Sequence, residues 1–438
     1  MSGAALRAAA ARVVHGVAAE GRTLDAALDV LQLEPAARPP VRAHAWGTVR
    51  RYPRHCAALQ LLQGPRYGAT DPRLRCLLAV GLEQLADGRT PPHAAIMETV
   101  EATRLMGLAR AAGFVNALLR RAQREHTALA AELDREPATR HAFPGWLAAA
   151  LAADWPDRAE AIMAASNEHP PLWLRVNRRR IDPADYRARL DAAGLGWRSA
   201  PFAPASVRLD VALDVRRIPG FEEGLVSVQD AAAQLAAPLL DLRPGQRVLD
   251  ACAAPGSKAC HLLELEPALA LTTLDADATR ARRIDDNLRR LGLAATQKTG
   301  DATCPADWWD GQRFERILLD VPCSGSGVIR RHPDIKLLRR PGDVAGFTAT
   351  QRRLLDAAFG LLAPGGRLVY ATCSVLRAEN AGLVAAFLAD TPAAVDVTES
   401  ATLAINALPP DPEAGPGFAL LPGVADTDGF FYACLEKH

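Results

Sequence analysis

The sequence predicts an α/β protein. Its C-terminal half reads as a largely parallel sheet between helices, preceded by an all-helical region and a small α/β module. Three observations carry this. Up to about residue 165, apolar residues recur at helical spacing, as at Leu6, Val13, Val14 and Val17. From Asp230 onward, apolar strand runs alternate with helical stretches, the pattern of a parallel sheet covered on both faces. Three of those runs end in aspartate, at Asp250, Asp275 and Asp320, and in open α/β sheets the ligand crevice lies beyond the carboxyl ends of the strands.

At roughly 150 residues per domain, a chain of 438 residues has room for three parts, expected at 1–140, 141–229 and 230–438. Apolar residues make up 49% and charged ones 23%, which argues against wholesale disorder. The net charge of +1 excludes a polycation. Residues 1–140 nevertheless hold 19 Lys/Arg against 13 Asp/Glu, which fits an anionic partner and fits a solvated helical face equally. No run approaches the roughly 18 to 20 apolar residues of a membrane span, and the start lacks the order of a signal peptide. A cytoplasmic protein without a membrane partner is expected. The cysteines (Cys56, Cys76, Cys252, Cys260, Cys304, Cys323, Cys373, Cys434) include no CxxC pair and the histidines form no ligand cluster, so neither disulfides nor a metal are expected.

Along the chain, helix boundaries are expected at Pro39-Pro40, Gly64-Pro65 and Pro91-Pro92, because proline fixes φ and disfavours helix in the residue before it. The pattern changes at Pro170-Pro171. Residues 172–177 read as a strand, 182–193 as a helix, and 206–213 alternate apolar with polar, before a turn at Pro219-Gly220. Strands then follow at 247–250, 269–275, just before Thr299, 316–320 and 367–371, with 429–435 as an antiparallel edge.

The first strand run enters Cys252-Ala253-Ala254-Pro255-Gly256-Ser257-Lys258. Small residues there let backbone approach a ligand, and the N–H groups at the start of the next helix would face it. A plain tight turn fits the same pattern, while a phosphate loop is excluded because G-x-x-x-x-G-K-[ST] is absent. Asp275, at the second strand end, is placed to accept hydrogen bonds from ribose hydroxyls. Aspartate also caps helices, and Asp277 is available for that. Asp301, after the third strand, would reach an adenine amine or a ribose, or else serve a turn. The fourth strand leads into Asp320-Val321-Pro322-Cys323-Ser324 and the fifth into Thr372-Cys373-Ser374. One cysteine at a strand end reads as buried packing. Two, at the carboxyl ends of adjacent parallel strands, would face one pocket.

With these motifs in this order, the sequence resembles the S-adenosylmethionine-dependent RNA 5-methylcytosine methyltransferases. The family's signatures appear here as Ala254-Pro255-Gly256-Ser257-Lys258, Asp320-Val321-Pro322-Cys323-Ser324 and Thr372-Cys373-Ser374. The helical start is similar to NusB-type RNA-binding domains. Together with the run Ile329-Arg330-Arg331-His332-Pro333-Asp334-Ile335-Lys336, it makes the whole chain similar to the family's bacterial 16S ribosomal RNA branch. The resemblance implies a Rossmann-like class I methyltransferase domain over 230–438, with 16S rRNA as partner and S-adenosylmethionine as cofactor. Carbon 5 of cytosine is too poor a nucleophile to take a methyl group directly. Thiolate addition at carbon 6 makes it enamine-like and divides one hard step into easier ones. The resemblance assigns that nucleophile to Cys373 and product release to Cys323. Asp320 would stabilise or protonate the ring near N3, and Lys258 would orient the site. It also carries over cofactor contacts to Cys252, Ala253, Ala254, Pro255, Gly256, Ser257, Lys258, Asp275, Asp301 and Asp320. Ser257 departs from the family's usual second glycine, and fits if its φ is negative.

The target cytosine must be unstacked to be reached. Arg330, Arg331, Lys336, Arg339 and Arg340, and from the middle module Arg175 and Arg178 to Arg180, are expected either to hold flanking phosphates or to be ordinary surface cations. Two other readings stay open on sequence: a transfer RNA methyltransferase of the same chemistry, and a NusB-like assembly protein with an inert methyltransferase fold. Two thiols at paired strand ends argue against the second.

Overall fold

The computed structural model describes residues 1–405 and 415–438. It divides into two compact units, one made of 1–169 with 329–341 and the other of 170–328 with 342–438. The expected boundary at residue 140 falls inside the first unit.

The first unit is helical throughout. Its main helices are Gly3–Ala18, Arg38–Gln63, Pro72–Asp87, Pro92–Leu105 and Ala112–Arg124. The prolines mark boundaries as expected: Pro39-Pro40 and Pro92 stand at helix starts, where a missing N–H costs nothing, and Gly64-Pro65 follows a helix end. Val13, Val14 and Val17 are buried with Leu28, Val41, Val49, Leu77 and Val80 in one core.

Residues 329–341 complete this unit from far along the chain. The Asp334 carboxylate accepts from the Leu24 amide at 3.0 Å. Lys336 Nζ donates to the Arg50 and Ala142 carbonyls at 2.5 and 2.9 Å and to Asn167 Oδ1 at 2.8 Å, over the Phe143 ring. Burial pushes this ammonium well below its ordinary pKa. Arg330 is equally buried, its carbonyl accepting from Arg50 Nη1. The expectation that Lys336 and Arg330 hold RNA phosphates is therefore corrected: both are interior groups of the helical unit.

The second unit holds two sheets. The smaller is antiparallel, in the order β2-β3-β1-β4, from β1 (Leu172–Val176), β2 (Trp197–Ala200), β3 (Ala203–Leu209) and β4 (Val226–Val228). The expected helix is Pro183–Ala192, capped by Asp182, while β2 and β4 escaped the sequence reading. Arg175 on β1 is 1% exposed. It makes a two-pronged ion pair with Glu264, at 2.8 Å on each prong, and donates to the Ser257 carbonyl at 3.1 Å. Arg175 is thus a buried brace and not a phosphate contact, whereas Arg178, Arg179 and Arg180 are exposed.

The larger sheet contains β5 (Arg247–Ala251), β6 (Ala270–Asp275), β7 (Thr296–Thr299), β8 (Phe314–Asp320), β9 (Leu362–Thr372), β10 (Ala394–Asp396), β11 (Phe418–Leu420) and β12 (Phe430–Lys437). Its order is β10-β12-β9-β8-β5-β6-β7, with β11 also paired to β12. Strands β5 to β9 are parallel, and β12 runs antiparallel to β9. The 429–435 run is not the expected edge, because β10 and β11 both pair beyond it. Alternate residues serve opposite faces: Val248, Leu318 and Val369 pack with Leu262, Leu263 and Ile284 on one side, and Leu249, Ile317 and Tyr370 with Leu355, Phe359 and Phe387 on the other. This two-sided burial is what the continuous apolar strand runs anticipated. The winding direction reverses between β5 and β8, where such sheets open a crevice at the strands' carboxyl ends.

Candidate active site

The loop after β5 leaves the sheet sharply. Cys252 has φ +61° and Gly256 φ +95°. A Cβ at Gly256 would lie 3.0 Å from the Ile284 backbone, so glycine is required there on both counts. Ser257 opens the helix Ser257–Leu265 outside the left-handed region, so the substituted position is accommodated as expected.

Asp275 is 3% exposed. Oδ2 accepts from the Ala254 amide and Oδ1 from the Asp277 amide, each at 3.0 Å. Asp277 caps the following helix through Thr279 and Arg280, as the sequence suggested. Asp275 thereby braces the β5 loop from the neighbouring strand end. Asp301 is exposed and its Oδ1 takes the Thr303 amide and hydroxyl at 2.8 Å, so it serves a turn in this conformation.

Lys258 Nζ donates to Asp320 Oδ2 at 2.6 Å and lies over the Phe430 ring. Its side chain is 12% exposed, which rules out a freely solvated lysine. Burial opposes the charge, but the Asp320 carboxylate outweighs it and lifts the ammonium above its ordinary pKa. The two cysteines meet, with Cys323 Sγ 3.4 Å from Cys373 Sγ. The Cys373 contact, followed by burial, pushes the Cys323 thiol well up and holds its proton. Gly327 permits the approach of these loops: a Cβ there would lie 2.3 Å from the Gly429 carbonyl oxygen and 2.9 Å from that of Cys373.

Two groups at this end of the sheet were missed as site residues. Asp250 is fully buried, and neither carboxyl oxygen has a hydrogen-bond partner. Burial first, and then the charge of Asp320, pushes its pKa up to about 8. A carboxyl inside an apolar strand run was the available signal. Glu379 is also fully buried, bonded to both cysteine loops, and nothing in its local sequence marks it.

Residues 237–436 match the family model described as 16S rRNA methyltransferase RsmB/F, residues 143–216 the ferredoxin-like domain of RsmF/B-like methyltransferases, and residues 4–124 the NusB family. The chain is 48% identical over 435 residues to ribosomal RNA small subunit methyltransferase B of Pseudomonas syringae pv. tomato, covering 98% of this chain and 95% of that one. It is 42% identical to the protein of that name from Vibrio cholerae, covering 99% and 97%. Among solved structures, a methyltransferase homologue from Pyrococcus horikoshii matches with a TM-score of 0.58 at 28% identity, over 69% of this chain and 98% of that one. With near-complete coverage at this identity, and with paired thiols and acidic strand ends on a doubly wound sheet, the chain belongs to the ribosomal RNA small subunit methyltransferase B family.

Proposed function

We propose that this protein transfers a methyl group from S-adenosylmethionine to carbon 5 of a cytosine in 16S ribosomal RNA, acting in the cytoplasm. The observation that carries the reading is the pair of thiols 3.4 Å apart at the ends of β8 and β9, beside an ion-paired lysine and aspartate.

The residues present fit the cofactor. The unpartnered carboxyl oxygens of Asp250, the loop from Cys252, Ala253, Ala254 and Pro255 to Gly256, Ser257 and Lys258, and the carboxylates of Asp275, Asp301 and Asp320 supply acceptors for hydroxyls, an adenine amine and an ammonium group. When bound, S-adenosylmethionine supplies an activated methyl on a sulfonium.

Cys373 adds to carbon 6 of the base, which makes carbon 5 nucleophilic. Asp320, held as a carboxylate by Lys258, takes the proton that the Cys373 thiol gives up on attack and either stabilises the ring or passes that proton to N3 as charge moves onto it. Cys323, whose thiol pKa is raised by the Cys373 contact and burial, releases its proton to solvent water and as thiolate takes the carbon-5 proton. The carbon 5–carbon 6 double bond re-forms as the carbon 6–sulfur bond breaks, N3 gives up its proton, and Cys373 is expelled. Bisulfite mapping of ribosomal and transfer RNA from cells with and without the protein tests the reading. Loss of one 16S cytosine methylation supports it, loss confined to transfer RNA favours the transfer RNA alternative, and unchanged patterns in both overturn it.

A further inference from the structure

We propose that Glu379 is a positioning residue that sets the spacing of the two active-site thiols, an inference that rests on the cysteine chemistry above. Glu379 is 0% exposed and its two carboxyl oxygens face different loops. Oε1 accepts from the Ser324 amide at 2.8 Å, and Oε2 from the Ser374 hydroxyl at 2.6 Å. Ser324 follows Cys323 directly and Ser374 follows Cys373 directly. One side chain therefore ties together the two segments that carry the sulfurs.

The tie is itself fixed from every side. Gln351 Nε2 donates both to Glu379 Oε1 and to the Pro322 carbonyl, each at 3.0 Å, so the residue before Cys323 is held by the same group. Tyr370 on β9 donates its hydroxyl to the Glu379 carbonyl at 2.7 Å. The Ser374 hydroxyl lies 3.2 Å from that of Ser324 and 3.0 Å from that of Ser326, and Ser326 Oγ accepts from the Val375 amide. Glu379, Gln351, Tyr370, Ser324, Ser326 and Ser374 are buried, and a buried polar network of this kind holds one geometry and is costly when broken. Displacements of about 1 Å between reacting groups cost up to about 100-fold in rate, so a device that fixes the sulfur separation bears directly on turnover.

Reach and charge are separable at this position. Glu379→Asp keeps the charge but is one methylene too short to serve Ser324 and Ser374 together. Glu379→Gln keeps the reach: its Oε1 still accepts from the Ser324 amide, and its Nε2 donates to the Ser374 hydroxyl, which turns its own proton toward Ser324 or Ser326. With in vitro transcribed 16S ribosomal RNA as probe, Glu379→Asp is expected to lower kcat about 10- to 100-fold, with KM for RNA and the calorimetric Kd for S-adenosylmethionine unchanged. Glu379→Gln is expected to recover most of the rate. Wild-type kcat in the Asp variant, a Gln variant as slow as the Asp variant, or a loss that appears in KM or cofactor Kd would overturn the inference. If Glu379→Asp does not fold, Gln351→Leu decides: a lower kcat at unchanged KM supports the tie, and an unchanged kcat removes it. A wild-type enzyme that methylates no cytosine refutes the underlying chemistry instead, so the two failures are distinguishable.

Discussion

The sulfur of Cys323 stands 3.4 Å from that of Cys373 although the two residues belong to separate strand-end loops. Their roles differ by what accumulates when each is lost. Cys323→Ala should still add Cys373 to the base and accept the methyl group, then stall before elimination. A protein–RNA band resistant to denaturing electrophoresis is expected for Cys323→Ala, and none for Cys373→Ala or the double variant. Normal turnover without a band in Cys323→Ala removes Cys323 from the mechanism.

Asp275→Ala deletes a carboxylate that braces both the Ala254 and Asp277 amides. Hydrogen bonds to a charged group contribute about 1.5 to 3 kcal/mol, so the Kd for S-adenosylmethionine should rise about 10- to 100-fold, measured by calorimetric titration. Cys373→Ala should leave that Kd close to wild type. An unchanged Kd in Asp275→Ala would place cofactor recognition elsewhere.

Asp250 makes stability depend on pH in an unusual direction for a carboxyl group. Its folded pKa is about 8 and its ordinary value is 3.8, so between those values the folded state holds a proton that the unfolded state has released. The slope of unfolding free energy against pH is then negative. The stabilisation is fully present below 3.8 and lost as pH rises through about 8. Denaturant titrations without cofactor at about pH 5 and pH 9 should show wild type losing more stability than Asp250→Asn. Parallel losses in the two proteins would show that Asp250 ionises normally.

Lys336→Ala should destabilise the protein by about 2 to 4 kcal/mol, because it leaves two buried carbonyls and the Asn167 amide oxygen without their donor. The salt dependence of RNA binding should not change, since an interior ammonium releases no counterion. A shallower salt slope in a stably folded Lys336→Ala would restore the phosphate contact.

What the sequence made legible were features written in local order. Apolar strand runs ending in Asp250, Asp275 and Asp320, alternating with helical stretches, located the parallel sheet and the end of it that carries the chemistry, and Cys323 and Cys373 were found because adjacent parallel strands bring their ends together. The misreadings share a cause. Arg175, Arg330 and Lys336 look like surface cations because a sequence displays charge and not burial, and the partners of two of them lie on other segments: Glu264 for Arg175, and Arg50, Ala142 and Asn167 for Lys336. Strands β2 and β4 span only four and three residues, too few for alternation to register. Strand β12 was placed at an edge because its neighbours β10 and β11 are short segments of three residues each.

Residues 329–341 belong to the helical unit though they follow most of the other unit in the chain. On the ribosome, the first 169 residues emerge without the partners that neutralise the Leu24 amide and the Arg50 and Ala142 carbonyls. The interior of the N-terminal part therefore stays unfinished until Lys336 has been synthesised, and only then can its last polar groups leave water without loss. A fragment cut at residue 140 or 169 would lack these partners, so RNA binding by the helical part is better probed by substituting exposed side chains in the full chain.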